Sequence, residues 1–150
     1  MTVQEGLLLI NEVDMATYGV FLCETSPGAH VNYDALMKPS KTKAPTSVSY
    51  QERNGEELPD ELGKLKHEAR DVSLQLAIVG DTCQQWFSRY NALMDLLKSG
   101  WLNIDVPELG RIFKMYLKDC SAYSQLTTLA STGQQIATMT VVLREPKPEF

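Results

Sequence analysis

The chain has 150 residues, 43% of them hydrophobic and 22% charged, which suits one soluble domain large enough to bury a core without staples. Its formal net charge is −5, with 14 Lys plus Arg against 19 Asp plus Glu, so tight binding to a phosphate backbone is disfavoured. No apolar run approaches the roughly 20 residues that a membrane helix needs, and no export signal is visible, so no membrane partner is expected.

Gly6 to Ile10 reads as a first short strand, and Asn11 to Tyr18 as a turn or one helical turn. Gly19 breaks it, and Val20 to Cys23 reads as a second short strand. Residues 24–45 carry Ser26-Pro27-Gly28, Lys38-Pro39-Ser40 and Ala44-Pro45, which predicts a long loop with at most a helical turn at Tyr33 to Met37. Lys38, Lys41 and Lys43 give this loop local positive charge, more in keeping with solvation than with a phosphate site.

Thr46 to Arg53 alternates weakly and reads as a strand leading to Asn54-Gly55, a pair that favours a tight hairpin turn. Glu56, Glu57, Asp60 and Glu61 then form a solvated acidic tip. Lys64 to Val79 contains the strongest strand. Val72, Leu74, Leu76 and Ile78 share one face at period two, and Leu65, His67 and Ala69 extend the strand as an exposed arm.

Gly80 ends that strand. Asp81 or Thr82 caps a helix over about 82–99, with Gln85 at capping-box spacing. Cys83, Trp86, Phe87, Tyr90, Leu93, Met94 and Leu97 make one apolar stripe, which predicts a helix packed on a sheet, and Gly100 stops it. Trp101 to Val106, Arg111 to Tyr123 and Gln134 to Arg144 read as three further strands. Leu126 to Gly133 is a loop, and Glu145-Pro146-Lys147-Pro148 opens a Pro-containing tail over 145–150. The expected fold class is α+β, an antiparallel β-sandwich or barrel-like sheet with one amphipathic helix.

Chemistry is hard to find in this pattern. Cys23, Cys83 and Cys120 are scattered and odd in number, and His30 and His67 are isolated, so neither zinc nor another cofactor is expected. The cysteines read as buried, reduced thiols. An enzyme using Cys83 or Cys120 as nucleophile lacks any local signature. A small carbohydrate- or peptide-binding module is the alternative, and it would need Trp101, Tyr116 and Tyr123 exposed together.

The order of features is more specific. A short apolar strand lies within Gly6 to Gly19, with Asn11 and Tyr18-Gly19. Asn54-Gly55 follows, then Arg70 enters the strand Val72 to Ile78. A helix with Leu93 and Leu96-Leu97 runs into Gly100-Trp101-Leu102, followed by Tyr116, Cys120 to Tyr123 and Glu145-Pro146-Lys147-Pro148. This order resembles the N-terminal domain of bacteriophage distal tail proteins and the related tail-tube fold. The resemblance implies a non-enzymatic structural subunit of a phage or prophage tail. It would self-assemble as a hexameric ring, join the tail tube to the baseplate or tip, and let DNA pass without specific binding. It also implies a virion-tail location after synthesis in the host cytoplasm. Many members continue into a second binding domain, so a chain ending at Phe150 is expected to be a minimal version. Sheet edges and loops would make the contacts, with Tyr33, Met37, Lys38, Lys41, Lys43, Lys64, Lys66 and Arg70 as candidate interface residues.

Overall fold

The computed structural model describes residues 5–24, 26, 28–127 and 133–150. The breaker at Pro27 and most of the loop expected at 126–133 lie outside them. Alternating apolar residues form seven antiparallel strands: β1 (Leu9–Ile10), β2 (Val13–Asp14), β3 (Val20–Leu22), β4 (Arg70–Gly80), β5 (Trp101–Val106), β6 (Arg111–Gln125) and β7 (Gln135–Glu145). Two α-helices accompany them, α1 (Val31–Met37) and α2 (Cys83–Leu97). The fold is α+β, with all strands in one sheet of order β2-β1-β5-β6-β7-β4-β3.

That sheet is strongly curled. Its two margins, β2 and β3, are joined through a single 3₁₀ turn, Met15–Tyr18. From Asp14 to Val20 the chain can reach at most about 22 Å. Seven strands laid flat would hold their margins about 29 Å apart. The short link therefore draws the margins together, and the strands form one bent antiparallel sheet. The turn is itself well made: Asp14 caps Ala16 through a 3.0 Å hydrogen bond, and Gly19 closes it at φ +64°.

The inner face follows period two. Val72, Leu74, Leu76 and Ile78 on β4 stand opposite Leu143, Val141, Met139 and Ala137 on β7. Leu102 and Ile104 on β5 stand opposite Met115 and Phe113 on β6, and all are buried. Trp86, Leu93 and Leu97 of α2 join this same core, as does Leu36 of α1. The buried stripe of α2 is narrower than the sequence pattern, since Phe87 faces solvent. Thr82 caps α2 by accepting from the Gln85 amide at 3.1 Å, and the Gln85 side chain reaches back to the Asp81 amide at 2.8 Å. Among the described residues no helix is long and apolar enough to cross a membrane.

Three expectations are corrected. The first strand is Leu9–Ile10 only, because Gly6 sits at φ +78° before it. The 24–45 segment holds a two-turn helix where at most one turn was expected, so there are two helices, not one. Thr46 to Arg53 forms no strand. A single bridge, Val48 to Glu57, brackets Asn54-Gly55, since neither face of this segment has a sheet or helix to cover it.

Candidate assembly interface

From Lys41 to Lys66 every residue is exposed except the half-covered Pro45. This arm includes Val48, Tyr50, Leu58, Leu62 and Leu65, at 39 to 54% exposure. It is fastened at its root only. The Lys43 amide donates to the Lys66 carbonyl at 2.7 Å, the Glu68 amide donates to the Lys41 carbonyl at 2.8 Å, and Thr42 bridges His67. Ser40 adds a bond to the Glu68 carbonyl at 2.6 Å. Beyond the root, Glu52, Glu56, Asp60 and Glu61 have no ion-pair partner among the described residues, whereas Glu57 pairs with Arg53 at 3.0 Å.

A second open surface lies on β6. β5 pairs with it only as far as Tyr116, while β7 follows it to Gln125 through two bulges. Lys118 to Ser124 are exposed on both faces, and the margin away from β7 has no strand partner among the described residues. Cys120 lies here, exposed, against the expectation that all three thiols are buried; Cys23 and Cys83 are half-buried. Burial pushes the Cys23 thiol up from its usual range.

A third surface is a cleft of about 510 Å³ where the outer face of β5 and β6 meets the tail. Trp101, at 53% exposure, and Ile112, at 66%, give it apolar walls. Arg111, Lys114 and Lys147 give it positive charge. The Lys114 ammonium lies 4.7 Å from the centre of the Trp101 ring, and Tyr116 meets that ring edge-to-face. Of its two acids, Glu145 is already neutralised by Arg70, which leaves only Glu149 to offset three cations.

The candidate residues chosen from sequence fall in different places. Met37 is exposed at the end of α1, and Lys38 follows as its C-cap. Lys41, Lys43, Lys64 and Lys66 stand at the root of the arm. Tyr33 is half-covered and donates to Glu108 at 2.6 Å; burial, then that carboxylate, raises its phenol to about 12. Arg70, expected on the arm, is instead turned inward. Its side chain is 7% exposed, pairs with Glu145 at 2.8 Å, and bonds the carbonyls of Ala35 and Lys38. Those carbonyls end α1, so Arg70 ties that helix and the root of the arm to the sheet.

Sequence reasoning missed Asn32 and the cleft. Asn32 is fully buried on α1. Its amide oxygen accepts from the Gln75 amide at 2.6 Å, and its nitrogen donates to the Cys23 carbonyl at 2.8 Å. It continues the β3–β4 ladder where β3 ends. The strand readings place Trp101, Tyr116 and Tyr123 only loosely; the structure sets Trp101 opposite Tyr116 and walls the cleft with the tail. Tyr123 lies elsewhere, seven positions further along β6 and against Tyr90 of α2. Among the described residues no group of three or more His, Cys, Asp or Glu side chains is placed to hold a metal ion.

No protein-family model matches the chain. No curated protein matches it either. Among solved structures it is similar to the crystal structure of the phage SPP1 Dit (gp 19.1) protein, described as a paradigm of the hub adsorption apparatus in phages that infect Gram-positive bacteria. The TM-score is 0.49 at 14% identity, over 96% of this chain and 53% of that one. The chain thus spans about half the length of that protein.

Proposed function

We propose that this chain is a structural subunit of a phage or prophage tail that works by associating with its own copies, as a ring between the tail tube and the tip. The tail assignment rests on the order of elements in the sequence. The mode of action rests on one observation, the arm of residues 41–66. It exposes five large apolar side chains, each 39 to 54% open to solvent, and supplies no residue to the core of its own domain. A segment this long gains too little from its own fold to offset its ordering, so its contacts belong to another molecule. The open margin of β6 adds a second place where a neighbouring strand can pair.

The carbohydrate- or peptide-binding alternative is less well supported. Trp101 and Tyr116 are exposed together, but Lys114 covers one face of the indole, and Tyr123 is about 20 Å along the strand. No continuous aromatic platform results.

Sedimentation velocity on the purified chain tests the proposal. Concentration-dependent growth to a discrete oligomer is expected, with rings in electron micrographs when tail partners are added. Replacing residues 46–65 with a short Gly-Ser linker should leave a folded monomer. A native chain that stays monomeric at high concentration, and forms no ring with tail partners, would count decisively against it.

A further inference from the structure

The arm and the cleft are complementary in two independent ways. At the arm tip, Glu56, Asp60 and Glu61 are acids without partners among the described residues, and Leu58 and Leu62 alternate with them. In the cleft, Lys114 and Lys147 are cations without a carboxylate partner among the described residues, and Trp101 and Ile112 are the exposed apolar walls. Within one copy every residue of the tip is exposed and none of them lines the cleft. We propose that the 56–62 tip of one copy seats in the Trp101–Lys114–Lys147 cleft of the next copy. Carboxylates would face the ammonium groups, and Leu58 and Leu62 would face Trp101 and Ile112.

This inference rests on the self-association reading and names its contact. The contact is heterologous, since tip and cleft are different patches, and a heterologous contact repeated by rotation closes into a ring or runs on as a filament. Its charges set partner choice as well as strength, because the same patches repel when tip meets tip or cleft meets cleft. The occupant is a second copy of this chain because the chain itself carries the matching segment. An unrelated acidic peptide is the competing occupant, and the test separates the two.

Two charge-reversed variants provide that test: Lys114→Glu with Lys147→Glu, and Glu56→Lys with Asp60→Lys and Glu61→Lys. All five positions are exposed, so melting temperature and circular dichroism should match the native chain. Each variant alone should associate at least about ten-fold more weakly than the native chain, because like charges then meet. An equimolar mixture should recover association, since the acidic cleft now accepts the basic tip and the unchanged basic cleft accepts the unchanged acidic tip. Added salt should weaken native association. If either variant assembles like the native chain, or the mixture remains dissociated, the tip-to-cleft contact is wrong while self-association stands. If the native chain itself is monomeric, the underlying reading fails first. Should a triple reversal unfold the chain, Lys114→Gln with Lys147→Gln supplies the milder variant, and unchanged association there refutes the contact.

Discussion

Arg70 enters the sheet as an ordinary extended residue, yet its guanidinium serves three partners at once, Glu145 and the two carbonyls at the end of α1. It also lies over the Phe150 ring at 4.8 Å. Burying both charges is tolerable only because they meet. Glu145→Ala should therefore cost about 3–5 kcal/mol, read from urea unfolding, since it leaves a buried cation unpaired. Arg70→Met combined with Glu145→Leu should cost less than the sum of the two single changes, and strict additivity would show that the pair is not coupled. Tyr33 gives a pH-dependent check. Its folded phenol holds its proton up to about 12, above the ordinary value of 10.0, because burial and the Glu108 carboxylate disfavour the phenolate. The stability it contributes is thus complete below pH 10 and is lost as pH rises towards 12. Burial and Tyr90 also raise the Tyr123 phenol, so ultraviolet titration should show late ionisation by more than one tyrosine, with the phase near pH 12 lost in Tyr33→Phe; an unchanged curve would remove the Glu108 bond.

Among the elements, α2 and the long strands were readable because each obeys one period against one core. Cys83 to Leu97 recur at helical spacing with a cap at Thr82, β7 alternates in burial along its whole length, and β4 alternates from Arg70 to Leu76 before its last residues are buried on both faces. α1 was largely hidden for the opposite reason. Its buried positions are Asn32 and Leu36, so half of its inward face is an amide that satisfies strand backbone, and polarity conceals burial. The arm misled because Asn54-Gly55 is a good turn signal, and the turn exists, but no covering layer turns its flanks into strands. Arg70 was misplaced because a charge at the mouth of a strand looks like solvent exposure until Glu145, 75 residues later, stands beside it. The junction of β4 and α2 makes a sharper prediction. A Cβ on Gly80 would lie 2.8 Å from the Trp86 backbone, and Trp86 is pinned there by its indole bond to the Ile78 carbonyl at 3.2 Å. Gly80→Ala should destabilise by about 1–3 kcal/mol in denaturant melts, through forced separation of helix from strand. A neutral result would mean that α2 shifts freely over β4.

For the whole molecule, stability and assembly are carried by different residues. The core lies within the curled sheet and its two helices, and no residue of 41–66 belongs to it or packs against it as a partly buried hydrophobe. Removing the arm should consequently change the melting temperature by no more than a few degrees while abolishing oligomers. A large drop in melting temperature would show that the arm braces its own domain. The candidate site was only half legible at this scale. The acidic tip and the lysines at its root stand out in the sequence, but the cleft needs β5, β6 and the tail together, and no local pattern joins residues 101, 114 and 147.

The short stitch at Met15–Tyr18 also fixes an order of events during synthesis. β1 has to wait for β5, and β3 for β4, which gains its second neighbour only when β7 has been made. Strands on either side of the turn thus stay unpaired until later parts of the chain are made, and until then their apolar side chains remain available to any chaperone that meets the nascent chain.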